Sequence, residues 1–446
     1  MVKNVRLKKG LDIRIRGGAP AVLPQKFITP ASIALIPDDY TGITPKVDVK
    51  EGDKVKLGDP LFHDKKFPDI KVVSPVNGTV TAVVRGERRK LERIVVTPEG
   101  EFTATFDFEQ ITDSTRAQQL LLDSGLWAWL RQRPYNTVPE PGVQPRDIFV
   151  TCFDSAPLAP DYEMLLKGHE AELVSAVKLL QMLTSGKVYL GVRPGSCLEN
   201  LEGAETVTFE GPHPAGNPSV QICNVKPVNK GDIVWTLDAL TLLRIGKLTA
   251  NHLLDMTTAV ALTGCEITEP HYVSTGVGCD MSTLVKGDIN NDIIHHRIIS
   301  GNVLTGHATS LEDYLRFPYN QVTVIAEGDD YDEFMGWASL SPQKMSISRS
   351  FPGHFTKKLF CPDARILGGR RAMIMSGLYE KMLPMDILPE FLVKAILAKD
   401  IDKMEQLGIY EVAPEDFALC EYVDPSKLEL QKIVAEGLEY VRKELN

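Results

Sequence analysis

The chain has 446 residues and a formal net charge of −10, with Lys and Arg interspersed among Asp and Glu. This length predicts roughly two to four domains, and the ordinary composition argues against long disordered regions. Because no block of basic residues concentrates the positive field that a phosphate backbone requires, the charge pattern argues against nucleic acid as a partner.

The N-terminal stretch MVKNVRLKKGLDIRIRGG alternates basic and apolar residues and has no continuous apolar core. It therefore lacks the pattern of a secretory signal. No apolar run in the sequence approaches the length that crosses a bilayer, so we expect a chain that is soluble or reaches a membrane only through partners. We expect residues 1–34 to pack on the domains that follow.

Residues 35–100 show short alternating strands separated by turn signals such as Asn77-Gly78. The pattern resembles the barrel-sandwich hybrid of biotinyl and lipoyl domains. One interpretation is a carrier whose Lys65 holds a swinging arm. The hairpin FHDKKFPDI, however, contains Pro68 and a small insertion, whereas a modifying ligase recognises a tight, exposed lysine turn. A retained fold without the arm is therefore the preferred interpretation.

The stretch from Asp123 to Tyr135, DSGLWAWLRQRPY, brings tryptophans and arginines close together. In a helix, Trp127 and Arg131 are four residues apart on one face, close enough for a cation–π contact. The apolar residues around them have the spacing of a packed helix, and an arginine beside tryptophan is common at subunit interfaces. We therefore rank a structural or interface role above ligand contact for this stretch.

Residues 101–255 change to a βαβ pattern that predicts a Rossmann-like parallel sheet. DIFVTC predicts a buried strand, residues 163–186 one helix, and KVYLGV a second strand. The loop FDSAPLAPDYE after the first strand contains no glycine and contains Pro157 and Pro160. Since prolines have no N–H to offer, this loop lacks the phosphate cradle of a dinucleotide fold.

The loop GPHPAG, from Gly211 to Gly216, is the next candidate for a ligand loop. Its prolines remove amide donors, which makes it a poor anion site. A rigid loop that presents His213 at a subunit contact is one interpretation, and a purely structural bend is the preferred one.

The remaining sequence predicts a β-grasp-like domain at 256–330, a connecting segment at 331–384 and a helical domain at 385–446. The seven cysteines and nine histidines have no metal-ligand or iron–sulfur spacing. Free, mostly buried thiols in a reducing cytoplasm are the preferred interpretation. No nucleophile or metalloprotease motif is present, so we assign no catalytic residue and no metal site.

Five segments in this order resemble the A-subunit family of the bacterial Na⁺-translocating NADH:quinone oxidoreductases, and the resemblance covers the whole chain. They are LKKGLDIRIRGG, DSGLWAWLRQRPYNTVP, GPHPAGNP, RIISGNVLTG and ALCEYVDPSKLEL. The order of domains also resembles the C subunit of the Rnf complex and the flavin subunit of complex I. Those relatives hold FMN and NADH in a glycine-rich loop, where this chain has GLWAWLRQRP, and their four-cysteine cluster is reduced here to Cys420.

The resemblance implies a subunit without a cofactor of its own, on the cytoplasmic side of the bacterial inner membrane. Its complex is expected to couple NADH oxidation to Na⁺ export, with FAD, FMN, riboflavin and iron–sulfur centres in other subunits and ubiquinone as substrate. Partners are then the other subunits, including integral membrane subunits, and the isolated chain is not catalytic. The alternatives are a subunit of an Rnf-type ferredoxin:NAD⁺ oxidoreductase and a lipoyl- or biotin-carrier-like module.

The resemblance also suggests where quinone and partner subunits bind. A quinone site needs flat apolar walls for the ring and hydrogen-bond donors for the carbonyl oxygens. The candidate quinone-binding residues are Trp127, Arg131, Tyr135 and Tyr40. The candidate partner-contact residues are His213, Trp129 and Arg133.

Overall fold

The computed structural model describes residues 3–290, 295–329, 342, 344–347, 349, 352–366 and 368–445. The first strand, β1 (Lys3–Arg6), belongs to a sheet whose other strands come much later in the chain. It pairs in parallel with residues 207–210. The N-terminal segment thus packs on a later part of the chain from its first described residues.

The next seven strands form two small sheets that share one apolar core, which includes Leu61, Phe62 and Ile94. These strands are β2 (Ile33–Leu35), β3 (Pro45–Val47), β4 (Lys54–Val55), β5 (Pro60–Asp64), β6 (Lys71–Val73), β7 (Gly78–Arg85) and β8 (Leu91–Pro98). Their orders are β2-β8-β7-β4 and β3-β5-β6, and all pairings are antiparallel. The alternating pattern predicted between residues 35 and 100 is confirmed as strands.

The hairpin between β5 and β6 is held by a buried carboxylate. Asp64 accepts hydrogen bonds from the backbone N–H groups of Thr44 (2.7 Å) and Phe67 (2.9 Å). Lys65 beside it is exposed. The acid that precedes the candidate carrier lysine therefore has a structural role in the turn.

The central domain contains a six-stranded sheet with helices around it. The domain is preceded by β9 (Thr103–Thr105), which belongs to a separate two-stranded sheet. Its own elements are α1 (Ser114–Asp123), β10 (Arg131–Arg133), β11 (Asp147–Thr151), α2 (Tyr162–Leu166), α3 (Glu170–Leu183), β12 (Val188–Val192), β13 (Glu205–Glu210), α4 (Pro218–Val225), β14 (Val234–Asp238) and α5 (Ala239–Asn251). The sheet order is β1-β13-β12-β11-β14-β10, and β10 alone among its described strands runs antiparallel to its neighbour. The predicted parallel sheet is confirmed.

The predicted single helix over residues 163–186 is wrong, because it is divided into α2 and α3. Gly168 lies between them with φ +89°, a left-handed conformation that ends the first helix. Asp161 caps α2 by accepting a hydrogen bond from the N–H of Met164, and Asp238 caps α5 by accepting one from Thr241.

The third region contains a five-stranded sheet and one short helix. Its elements are β15 (Leu253–Asp255), which pairs with β9 outside that sheet, β16 (Thr257–Thr263), β17 (His271–Gly276), α6 (Met281–Val285), β18 (His296–Ser300), β19 (His307–Thr309) and β20 (Gln321–Ala326). The order is β17-β16-β20-β18-β19, with β16 and β20 parallel and the other pairs antiparallel. The predicted strands of this region are therefore confirmed.

The C-terminal region is helical, as predicted. Its helices are α7 (Tyr379–Met382), which lies inside the segment predicted as a connection, and, within the predicted helical domain, α8 (Pro389–Leu397), α9 (Ile401–Gln406), α10 (Ala418–Val423) and α11 (Leu430–Leu445). They share an apolar core with one face of the central sheet, where Phe149 and Phe209 contact the cluster that contains Phe417 and Val434. The part of 331–384 predicted as a connection is described only in pieces, and residues 330–341 lie outside the described residues.

Candidate functional site

A cavity of about 700 Å³ lies at the carboxyl ends of β11 and β14. The next strand in the chain, β12, pairs with one edge of β11, whereas the later strand β14 pairs with its other edge, so the strand order reverses direction at β11. Such a switch point leaves a crevice outside the strand ends, which is where open α/β sheets bind ligands. The walls are contributed by the 38–41 loop, the 129–136 segment, the 301–321 segment and residues near 415 and 431.

One wall of the cavity is aromatic and cationic. The rings of Trp129 and Phe317 meet edge to face with their centroids 4.7 Å apart, and the Arg131 guanidinium lies 5.1 Å from the Phe317 centroid. Arg244 lies 4.5 Å from the Trp129 centroid. Neither guanidinium has a carboxylate within ion-pair distance among the described residues, and each is attracted by the ring that it lies over. The wall therefore places two aromatic rings beside the Arg131 guanidinium.

Arg131 is fixed by backbone carbonyls on two segments. Its Nη1 donates to the carbonyls of Ala128 (2.9 Å) and Leu130 (3.0 Å), and its Nη2 donates to that of Asp39 (2.9 Å). Burial lowers the pKa of the guanidinium to about 10, which leaves it charged at neutral pH. Arg131 thus fastens the 38–41 loop of the barrel to the central domain.

Asp39 fastens the same loop to the third region. Its Oδ1 accepts from Arg316 Nε at 2.7 Å, and its Oδ2 accepts from the N–H of Phe317 at 3.1 Å. Burial raises the pKa of this carboxyl to about 6, although the adjacent Arg316 opposes the increase. Three parts of the chain therefore meet at one ion pair on the cavity wall.

The stretch from Asp123 to Tyr135 does not form the α-helix that a Trp127–Arg131 contact requires. Gly125 turns the chain with φ +75°, and a Cβ there would lie 2.6 Å from the nearest Val73 side-chain atom. Residues 126–129 form a single 3₁₀ turn, and β10 follows. The predicted Trp127–Arg131 pairing is wrong, because a 3₁₀ turn followed by a strand does not present residues i and i+4 on one face.

Trp127 and Tyr40 lie behind the cavity wall and are buried. The Trp127 Nε1–H donates to the carbonyl of Pro139 (2.9 Å), and its ring meets that of Trp235 edge to face with centroids 5.1 Å apart. Tyr40 stacks on Phe317 at 5.1 Å, and burial raises the pKa of its hydroxyl. Neither side chain is among the residues that line the cavity.

Two of the predicted residues, Arg133 and Tyr135, contact the C-terminal region, and a third, His213, belongs to the 211–216 loop. The buried Arg133 donates from Nη2 to Glu415 Oε1 at 2.6 Å and lines the cavity. Tyr135 lies beside Tyr410, 6.2 Å between ring centroids, outside the cavity. These contacts are within the chain, and the predicted role of Arg133 at a subunit contact stays a prediction.

His213 is buried in the cavity wall. Its Nδ1 lies 3.0 Å from Ser155 Oγ, and Ser155 Oγ accepts from the N–H of Gly216 at 2.8 Å. Burial and the nearby Arg193 lower the pKa of the imidazole to about 4, so it is uncharged at neutral pH. The loop thus orients His213 inward, which favours the structural interpretation of this bend.

The loop after β11 does not fit a flavin or dinucleotide phosphate. Asp154 accepts the N–H of Ala156 (2.7 Å), and the N–H of Ala159 donates to the carbonyl of Ala156 (3.2 Å). Pro157 and Pro160 have no N–H, and burial raises the pKa of Asp154. A phosphate at this position would meet a buried carboxyl and few free amides, so the loop does not suit such a group.

Among the described residues, no group of three or more His, Cys, Asp or Glu side chains could hold a metal ion. The thiols of Cys152, Cys279 and Cys420 are buried, whereas those of Cys197 and Cys361 are exposed.

The longest described helix, α11, has 16 residues, and no helix in the described ranges is long and apolar enough to cross a bilayer.

Sequence reasoning missed Asp39, Arg316, Phe317 and Tyr319, which line the cavity. A signal was present, because the sequence RFPYN at 316–320 repeats the combination of arginine, proline, tyrosine and asparagine found in RPYN at 133–136. Both segments end with an asparagine in the cavity wall. That the two segments line one cavity is visible only in the fold.

Family models match most of the chain in three consecutive parts. Residues 5–99 match the NqrA N-terminal barrel-sandwich hybrid domain, residues 112–252 the NqrA second alpha/beta domain, and residues 259–310 the NQRA C-terminal domain. The first match agrees with the barrel-sandwich hybrid predicted for residues 35–100.

Curated relatives match along nearly the whole chain. The chain is 36% identical over 450 residues to the A subunit of the Na(+)-translocating NADH-quinone reductase of Rhodopirellula baltica, covering 98% of both chains. It is 37% identical over 450 residues to that of Photorhabdus laumondii, covering 99% of this chain and 100% of the relative. An NAD⁺-reducing [NiFe]-hydrogenase structure aligns with a TM-score of 0.37 at 14% identity, over 74% of this chain and 61% of that chain, a likeness too low to carry an argument.

Proposed function

This chain belongs to the A-subunit family of the Na⁺-translocating NADH-quinone reductases, and we propose that it binds quinone in the cavity between its domains as a peripheral subunit of that complex. The complex couples NADH oxidation to Na⁺ export, and its flavins and iron–sulfur centres belong to other subunits. The chain contributes binding and orientation, and the electrons arrive from its partners. Its place is the cytoplasmic side of the inner membrane, where integral membrane subunits hold it.

The observation that carries the quinone assignment is the aromatic and cationic wall. Trp129 and Phe317 line the cavity as aromatic contacts for a quinone ring. The guanidinium of Arg131 beside them uses three of its five N–H donors on backbone carbonyls, which leaves donors for a carbonyl oxygen. The cavity volume of about 700 Å³ is in the usual range for sites of small organic ligands, roughly 300–1,000 Å³. Among the predicted residues we therefore assign ring contact to Trp129 and carbonyl contact to Arg131. Trp127 and Tyr40 support the wall from behind.

Calorimetric titration of the isolated chain with a short-chain ubiquinone tests the assignment. We expect saturable binding, and we expect Phe317→Leu to weaken it about tenfold, because an aromatic contact is worth about 0.5–1.5 kcal/mol beyond its buried area. Phe391→Leu is the matched control, since Phe391 is exposed on α8 away from the cavity. Absence of saturable binding, or equal affinity of both variants, contradicts the assignment.

The proposal includes a chain without flavin, iron–sulfur cluster or nucleotide of its own. It is supported by the occupied amides and the prolines of the 153–160 loop and by the single buried Cys420 of the C-terminal helices. We expect the purified chain to show no flavin or cluster absorbance and no saturable binding of NADH in calorimetry. A stoichiometric yellow chromophore, or one-to-one NADH binding at micromolar concentrations, refutes this part of the proposal.

The alternatives from the sequence have less support. The curated relatives named above carry the name of the Na⁺-translocating reductase rather than that of an Rnf complex. A carrier needs an arm on Lys65. The adjacent Asp64 accepts hydrogen bonds from the N–H groups of Thr44 and Phe67, so a structural role accounts for the acid beside that lysine. An intact mass of the chain equal to that of the bare sequence removes the carrier alternative.

A further inference from the structure

The segment formed by residues 352–366 and 368–378, here called the strap, carries a row of exposed apolar side chains. Phe355 is 73% exposed, Leu359 62% and Ile366 61%, and Ile374 and Met375 are also exposed. Single exposed apolar residues are common, but several on one short segment mark an interaction surface. The strap has one short 3₁₀ turn, at Pro352–Phe355, and no other regular element before α7.

The strap is also strongly basic in an acidic chain. Between residues 352 and 378 the sequence has five Lys or Arg and one acid, whereas the whole chain has a net charge of −10. Asp363 already pairs with Arg365, and Arg370 pairs with Glu429. Lys357, Lys358 and Arg371 are exposed, and no acidic side chain among the described residues lies within ion-pair distance of them. Their charge is therefore uncompensated within the described structure.

The backbone of the strap is attached to three other parts of the chain. Phe360, which is buried, donates its N–H to the carbonyl of Arg14 (2.9 Å) and accepts from the N–H of Arg16 (2.9 Å). Ala364 donates its N–H to the carbonyl of Ala326 (3.0 Å), and Arg371 donates its N–H to that of Ser426 (2.9 Å). The fold thus holds the strap in place by its backbone and leaves the five apolar side chains named above, together with Lys357, Lys358 and Arg371, exposed.

We propose that the strap binds the anionic headgroup surface of a phospholipid bilayer. Exposed bulky apolar side chains bury in the headgroup–acyl boundary, and lysines beside them are attracted to anionic lipids while their stems follow the apolar surface. The centre of a protein–protein interface is depleted in lysine. Here Lys357 and Lys358 lie between Phe355 and Leu359, the arrangement that favours lipid over a protein partner. This proposal rests on the proposed function in one respect, that a membrane lies close to the chain.

Co-sedimentation of the full chain with protein-free vesicles tests the proposal. We expect binding to phosphatidylcholine vesicles that contain phosphatidylglycerol, weak binding without it, and release by added salt. The triple variant Lys357→Glu, Lys358→Glu, Arg371→Glu is expected to lose about a hundredfold in partition coefficient or more, because each cation near an anionic surface contributes about fivefold. Phe355→Ser with Leu359→Ser is expected to weaken binding even at low salt.

The matched control reverses three exposed lysines of the barrel, Lys46→Glu, Lys50→Glu and Lys56→Glu, which changes the net charge equally. Equal binding by the two triple variants overturns the proposal, and so does equal binding to both kinds of vesicle. A strap variant that binds vesicles normally but fails to assemble with the membrane subunits also overturns it and assigns the strap to a protein. The assay contains no quinone and no partner, so its failure leaves the quinone assignment unaffected.

Discussion

Replacing Trp127 by alanine is expected to lower the free energy of unfolding by about 3–5 kcal/mol, the range for removing a large aromatic side chain from a core. The indole is fully buried, its ring meets Trp235, and its Nε1–H satisfies the carbonyl of Pro139. The substitution removes apolar contacts and leaves that carbonyl without its donor. Urea unfolding followed by tryptophan fluorescence and circular dichroism measures the change.

Two variants make the Trp127 result specific. Trp127→Phe keeps most of the ring volume but removes the donor to Pro139, so we expect a smaller loss of about 1–3 kcal/mol. Phe391→Ala removes an exposed aromatic side chain and is expected to change stability by about 0.5 kcal/mol or less. A loss below about 1 kcal/mol for Trp127→Ala is incompatible with Trp127 as a core residue. Such a result would make Trp127 a candidate for contact with a ligand or a partner.

Local patterns were sufficient to predict the strands of the barrel and the parallel sheet. The strands around Asn77-Gly78 are β6 and β7, and burial alternates along the start of β7. The apolar run DIFVTC contains β11, whose residues are all buried, as expected of a central strand in a parallel sheet. The prediction of one helix over residues 163–186 failed at Gly168. Its apolar spacing continues through Gly168, but the left-handed φ of that glycine ends α2 before α3 begins.

The candidate site was only partly predictable, because its contacts join distant segments. The sequence drew attention to Trp129, Arg131 and Arg133, which line the cavity, although Trp129 and Arg133 were assigned to partners. It gave no reason to place Phe317 under Arg131, since that contact depends on how the third region packs on the barrel. The basic strap was missed for a different reason. Over the whole chain the charged residues are interspersed, and this average hides the excess of Lys and Arg over Asp and Glu in one short segment.

Arg131→Ala separates the roles that remain for the cavity wall. The guanidinium satisfies the carbonyls of Ala128, Leu130 and Asp39 and lies over Phe317, all within the chain. We therefore expect a loss of about 2–4 kcal/mol in the free energy of unfolding, since buried acceptors are left unpaired and a cation–π contact is lost. Arg131→Lys keeps the charge but not the fork geometry, so it is expected to recover only part of this stability.

The same variant tests the quinone assignment in the assembled complex. Because Arg131 faces the cavity rather than the outer surface, the complex with Arg131→Ala is expected to assemble at a temperature where the variant remains folded. Its quinone KM is expected to rise about tenfold, which corresponds to about 1.4 kcal/mol. Co-purification with the membrane subunits measures assembly, and steady-state quinone reduction measures KM. An unchanged KM together with weakened assembly contradicts the assignment, because the guanidinium would then act through the shape of a partner surface and not through contact with substrate.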